Sequence, residues 1–313
     1  MADQNKGMSD LWRRLRFVFM AIVVYRLGTH IPIPGIDPAR LAALFDQNQG
    51  TILEMFNLFS GGALERMSIF ALNVVPYISA AIIMQLFSNS IPYLQELKKD
   101  GQAGRNQITQ YTRYGTVVLA FVQASALAVT LGASGLAYEP GTSFFISAVF
   151  SVVAGTIFLM WLGEQISERG IGNGISIIIA TSILTGIPGA IGQALEQARQ
   201  GDLNILLLLG IGVLAMLVIA IVVFIERGQR RITVNYAQRQ QGRKLMQAQA
   251  SHLPFKVNMA GVIPAIFAST FLLFPASLST WFGQAESFGF LQTISLALNP
   301  GQPLYILTFS ALI

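Results

Sequence analysis

The sequence contains no cysteine in 313 residues. This excludes disulfides, thiolate metal sites and a cysteine nucleophile. Histidine is nearly as scarce. His30 and His252 are the only two; they lie far apart in a pattern without metal-ligand spacing, and both read as surface or interfacial residues. Charge is thin as well: Asp, Glu, Lys and Arg make up 11% of the chain, against about 25% in an ordinary soluble protein. The apolar stretches hold no paired aspartates, no Ser-His arrangement and no His-Glu-x-x-His, so an intramembrane protease or hydrolase has no catalytic group to use. The run Gly170-Ile171-Gly172-Asn173-Gly174 is rich enough in glycine for a phosphate loop, but no strand precedes it and no Lys-Ser or Lys-Thr follows. A tight turn and close helix packing account better for its glycines.

What the sequence has in abundance is apolar surface. Hydrophobic residues are 53% of the chain and the mean hydropathy is +0.57, the composition of an all-α polytopic membrane protein. Residues 1–16 are polar and basic, and Leu11-Trp12 among Lys6, Arg13, Arg14 and Arg16 predicts an amphipathic helix on the cytoplasmic membrane surface. The first span is expected over Phe17–Ile36, interrupted by Arg26, His30, Pro32 and Pro34. A cleaved signal peptide is disfavoured, because no small-x-small site follows Tyr25 and many spans come later. The second span runs from Ser68 or Asn73 to Phe87. Tyr114–Leu131, Phe144–Leu162, Ile171–Ile191 and Ile205–Ile225 each supply about 18–21 uncharged residues, enough to cross ~30 Å of hydrocarbon. Val257–Leu278 is a seventh, and Leu304–Ile313 reads as a membrane helix cut short, as in a piece of a longer protein. Sixteen of the twenty Lys and Arg residues fall on the side that holds the N-terminus. The positive-inside rule makes that side cytoplasmic.

The stretch from Phe59 to Phe87 stands out. Ser60–Leu72 is short, led by glycine and interrupted by Glu65 and Arg66, too polar to span a bilayer. A charge-free helix follows, with Pro76 in its first turn, where a missing N–H costs nothing. Breaks at membrane depth need protein or water around them and mark the working centres of many membrane proteins. Val74-Val75-Pro76-Tyr77-Ile78 is echoed by Val262-Ile263-Pro264-Ala265-Ile266, as expected of a duplicated fold with its site between the halves, although chance use of proline at helix starts gives the same pattern. A coupled transporter is the rival class. It would need buried carboxylates, which the apolar runs lack; Glu164 sits only at a span end. Arg26 lies inside a span but near its end, and reads as structural. Glu226–Lys256 is a long basic loop, suited to solvent or to an acidic partner, ribosomal RNA or anionic lipid.

Several blocks are similar to one family. Ile31-Pro-Ile-Pro-Gly-Ile36, Phe56-Asn-Leu-Phe-Ser-Gly-Gly-Ala63, Trp161-Leu-Gly-Glu-Gln-Ile-Ser-Glu-Arg-Gly-Ile-Gly-Asn-Gly-Ile-Ser176, Glu226-Arg-Gly-Gln-Arg-Arg231 and Leu253-Pro-Phe-Lys-Val-Asn-Met-Ala-Gly-Val-Ile-Pro-Ala-Ile-Phe267 resemble bacterial SecY, the pore-forming subunit of the Sec protein-conducting channel. The resemblance covers the chain and implies a SecY-type inverted-repeat helical bundle, truncated in its second half. Residues 17–192 would form the first half, with five membrane helices. Residues 193–313 would supply helices six, seven and the start of eight, with the cytoplasmic loop 226–256. The family's plug would be Ser60, Gly61, Gly62, Ala63, Leu64, Glu65, Arg66, Met67, Ser68, Ile69, Phe70, Ala71 and Leu72. Its pore ring would fall on Val74, Ile78, Ile175, Ile179 and Ile266, where packed-core or lipid-facing roles are the bland alternative. The i, i+4 spacing of the first two pairs places each on one helix face. Gln85 and Asn258 would meet across a lateral gate, and Arg239, Arg243 and Lys244 would dock the SecA motor ATPase or the ribosome. The implied partners also include SecE-type and SecG-type small subunits, preprotein substrates and membrane lipids. The implied location is the bacterial inner membrane, with no cofactor, metal or catalytic residue.

Overall fold

The computed structural model describes residues 2–37, 40–41, 57, 60–139, 141–201, 204–234, 240–241, 244–245, 251–258, 264, 268, 272, 297 and 302–313. These divide into two compact units, one of residues 1–190 with 267–313 and one of residues 191–266.

In the first unit, α1 spans Ala2–Gly28. Near its start Asp10 pairs with Arg14 and Arg13, and the hydrogen bond from Arg14 holds the Asp10 carboxyl below its ordinary range. The helix continues from the basic N-terminus into the apolar run but stops well short of Ile36. Pro32 and Pro34 explain the difference: a residue before proline avoids the helical region, and proline cannot donate to the ladder. Residues 31–36 instead form a non-helical stretch with a turn at Pro34-Gly35, and the bridges Pro32↔Ser68 and Ile36↔Ala137 tie it down. Helix α2, Val75–Ser90, has Pro76 in its first turn. Its 16 residues reach about 24 Å, less than the hydrocarbon thickness. Ile91 leaves the helical region (φ −95, ψ 120) ahead of Pro92, which opens α3, Pro92–Lys99.

Helices α4, Gly101–Ala133, and α5, Thr142–Arg169, form the body of this unit. Thr112, Thr116, Ala120, Ala124 and Ala128 recur at i+4 on one buried face of α4. Their small side chains allow the close helix approach that packing in lipid rewards. Arg113 on α4 and Glu164 on α5 form an ion pair at 2.8 Å. Helix α6 covers Gly174–Gln200 and carries Pro188. At its start the Asn173 side chain accepts from the Ile175 and Ser176 amides at 3.0 and 3.3 Å. The glycine turn before it is a packing device. A side chain on Gly174 would meet the Gly163 carbonyl at 1.9 Å, and one on Gly163 would meet Ile175 at 2.4 Å. The last described helix, α8, is Pro303–Leu312.

In the second unit, α7, Ile205–Arg227, starts at an Asn204 cap and has no buried residue. A helix apolar all round that nothing covers among the described residues is suited to lipid. After it the basic segment forms a ladder where the sequence suggested a loop. Strand β1, Gln229–Val234, pairs antiparallel with β4, Ser251–Lys256, from Gln229↔Lys256 to Val234↔Ser251. Within the excursion, β2, Gln240–Gln241, pairs with β3, Lys244–Leu245. Among the described residues α4, α5, α6 and α7 are the four helices long and apolar enough to cross a membrane. The expected seventh span lies almost wholly outside the described residues.

Candidate functional site: a wedged segment beside an aliphatic cluster

Segment 60–72 is a series of tight turns between α1, α5 and α6. Gly61 and Gly62 adopt φ +67 and +79, values that glycine reaches without strain. Gly61 lies against α6 so closely that an added Cβ would stand 3.1 Å from the Ser182 Cα. On the opposite flank a Cβ at Gly155 of α5 would fall 2.0 Å from the Ile69 carbonyl. Two non-glycine residues, Met67 (φ +39) and Asn73 (φ +49), also take left-handed backbone. Asparagine tolerates that region better than most residues, whereas a buried methionine held there is over-determined by its surroundings.

The side chains of the segment divide between two apolar clusters. Leu64, Met67 and Ala71 join Ile33, Ile36, Ala124, Ala128, Val149 and Val152. Ala63 and Phe70 join Tyr25, Val74, Leu159 and Ile178, with Ile78, Ile175 and Ile179 packed against the same cluster. Four of the five residues expected at the pore ring therefore share one apolar cluster with the segment expected to be the plug. Ile266 lies outside the described residues. Phe70 stacks between Tyr25 and Phe158, with ring centroids 6.1 and 5.9 Å away. Glu65 and Arg66 are exposed, and Asn57 donates to the Glu65 carboxylate at 3.0 Å.

Polar groups tie the segment down. Its backbone pairs with the non-helical stretch after α1 through Ile33 N to Met67 O at 2.8 Å and Ile69 N to Ile31 O at 3.0 Å. Tyr25 Oη reaches the Ser60 carbonyl at 3.2 Å and the Ser182 hydroxyl at 2.6 Å. Asn73 donates to Ser182 Oγ at 3.1 Å, and Ser182 Oγ also stands 2.9 Å from the Ile178 carbonyl. Arg26 donates to the Gly61 carbonyl at 3.1 Å, so its charge is directed at the segment, not at the membrane surface. Sequence reasoning missed Tyr25, Asn73 and Ser182. The available signal was a polar residue beside Val74 and another midway along an apolar helix, but their meeting depends on elements far apart in the chain.

The remaining expected sites are placed as follows. Gln85 is exposed on α2, among exposed Ile83, Leu86 and Phe87. Asn258 follows β4 and donates to the Glu226 carboxylate at 3.2 Å. Lys244 lies in β3, opposite Gln241; Arg239 and Arg243 lie outside the described residues. His30 is exposed at the end of α1, with Nδ1 2.8 Å from the Arg26 carbonyl. Among the described residues no group of acidic, histidine or cysteine side chains could hold a metal ion.

Comparison with known proteins bears on this arrangement. The family model described as SecY matches residues 68–313. The protein translocase subunit SecY of Pseudomonas aeruginosa is 65% identical over 310 residues, covering 99% of this chain and 70% of that protein. The subunit of the same description from Escherichia coli K12 is 59% identical, with 98% and 70% covered. Among solved structures, one described as a protein conducting channel aligns with a TM-score of 0.62 at 20% identity, over 87% of this chain and 59% of the other. Sec61 in the canine ribosome-channel complex from the endoplasmic reticulum aligns at 0.61 and 20%, with 87% and 59% covered. The chain thus spans about three fifths of the solved channels that it resembles. It is a multi-pass membrane protein, and it belongs to the SecY family of protein translocase subunits.

Proposed function

We propose that this chain lines the path of a protein-conducting channel, through which unfolded preproteins cross the membrane and from which apolar segments leave sideways into lipid. The observation that carries the reading is the wedging of segment 60–72 between two apolar clusters, one of which includes Val74, with Ile78, Ile175 and Ile179 packed against it. In this reading residues 60–72 are the plug and those four aliphatic residues belong to the constriction. Ile266 is assigned to the same ring from its sequence block alone. Aliphatic side chains offer a passing backbone no hydrogen bonds, and they make water, and therefore ions, unstable in the gap. Apolar segments leave through the gate because hydrocarbon is the better solvent for them; Gln85 and Asn258 are the proposed gate residues.

No catalytic step is assigned to this chain. Energy comes from a partner, with Arg239, Arg243 and Lys244 as the proposed docking site for SecA or the ribosome. SecE-type and SecG-type subunits complete the assembly in the bacterial inner membrane, and the N-terminus is cytoplasmic. The test is to replace Ile78 and Ile179 together by Asn and to measure ion conductance in membrane vesicles. Resting conductance should rise, and rise further when residues 60–72 are also deleted, because plug and ring seal in series. A carrier has no open path, so conductance at background in both variants would overturn the channel reading.

A further inference from the structure

Two neighbouring donors on α1 hold two neighbouring carbonyls of the plug. Tyr25 Oη lies 3.2 Å from the Ser60 carbonyl, and Arg26 Nη1 lies 3.1 Å from that of Gly61. Tyr25 is 1% exposed, so its single hydroxyl proton needs an acceptor inside the protein. A second acceptor is at hand. Ser182 Oγ stands 2.6 Å from Tyr25 Oη on the side of α6, and is itself fully buried.

The proton count allows two arrangements. In the first, Ser182 donates to Tyr25, and Tyr25 donates to the Ser60 carbonyl. In the second, Tyr25 donates to Ser182, and Ser182 donates to the Ile178 carbonyl at 2.9 Å. The Asn73 amide donates to Ser182 Oγ in either case, since a hydroxyl oxygen has two acceptor positions. The first arrangement holds the plug. The second leaves the Ser60 carbonyl free to depart and still leaves no hydroxyl proton unbonded.

We infer that Tyr25 and Ser182 form a hydroxyl relay that clamps and releases the plug, with Tyr25 as the clamp and Ser182 as the acceptor that takes over its hydrogen bond on opening. Both are positioning residues, and the inference rests on the channel reading above. Its signature is a pair of opposite effects. Removing the Tyr25 hydroxyl removes a bond made only in the closed state, so opening becomes easier. Removing the Ser182 hydroxyl leaves a buried Tyr25 proton with no acceptor once Ser60 has gone. Opening then becomes harder, because an unsatisfied buried donor is costly.

The absence of cysteine from the chain supplies the assay. Ser68 is fully buried in the plug, and Ser68→Cys introduces the only thiol of this chain with little change of shape. Its labelling rate by a membrane-impermeant maleimide, read as a mobility shift of this chain in membrane vesicles with ATP and motor absent, reports how often the plug opens. In that background Tyr25→Phe should label about three- to tenfold faster and Ser182→Ala slower by a similar factor, the effect of one hydrogen bond. The double variant should match Tyr25→Phe alone, because without the Tyr25 proton the bonds of Ser182 to Asn73 and to the Ile178 carbonyl are the same in both states. If Ser182→Ala speeds labelling as Tyr25→Phe does, or if the effects simply add, the pair is ordinary packing and the relay is wrong. A trapped translocating chain should also accelerate labelling. If that load and both variants leave the rate unchanged, the segment does not move, and the plug assignment falls together with the relay.

Discussion

Asn73 sits at φ +49, directly before the first aliphatic residue of the proposed ring. Glycine could take this backbone without strain, whereas a β-branched residue could not. Asn73→Gly should therefore cost only what the side chain contributes, its hydrogen bonds to Ser182 and Tyr25 among them. Asn73→Val should lower stability by about 1–3 kcal/mol more, the usual cost of a forced left-handed residue. Thermal unfolding of the solubilised protein compares the two, and equal losses would show that the backbone at 73 relaxes freely. Little of this was legible in the sequence. The aliphatic residues were named through the family resemblance, and the i, i+4 spacing of Val74/Ile78 and Ile175/Ile179 adds only that each pair shares one helix face. The polar residues that tie down segment 60–72 were not, because Tyr25 and Ser182 lie 157 positions apart in the chain and meet at 2.6 Å only in the fold.

Whole elements were easier to read where composition alone decides them. Helices α4 to α7 follow from long uncharged runs with polar ends. Two elements departed from expectation. Helix α1 ends eight residues before the expected Ile36, at Gly28, ahead of Pro32 and Pro34, and a Cβ at Gly28 would fall 2.0 Å from Phe70. The β1–β4 ladder joins residues at the two ends of a polar segment with no alternating pattern to announce it. At Gly155, an added methyl group would collide with the Ile69 carbonyl at 2.0 Å, and a backbone neighbour cannot swing aside as a flexible side chain can. Gly155→Ala should push segment 60–72 outward and raise the labelling of Cys at position 68 several-fold; an unchanged rate would mean that α5 yields instead. Beyond the membrane, converting Arg239, Arg243 and Lys244 to Glu should weaken binding of the motor or the ribosome, most at low salt where charge attraction is least screened, with membrane insertion intact. Unchanged partner binding at physiological salt would reduce the basic segment to a topology signal.

At the scale of the molecule, charge distribution sets orientation. Sixteen of the twenty basic residues lie on the proposed cytoplasmic side, and the β1–β4 hairpin carries exposed Arg230 and Arg231. Trypsin added to inside-out vesicles should cut at this hairpin, while right-side-out vesicles should protect it; cleavage only in the second preparation would invert the topology. The wedge also has a thermal consequence. Displacing residues 60–72 would bring Leu64, Met67, Phe70 and the faces they cover into contact with water, and exposing apolar surface raises heat capacity. An equilibrium with such a term does not change steadily with temperature. Its free energy follows a dome, because attraction between apolar surfaces weakens in the cold while disorder gains in the heat. The channel should therefore leak least at an intermediate temperature, and chilling the membrane should loosen the seal just as warming does.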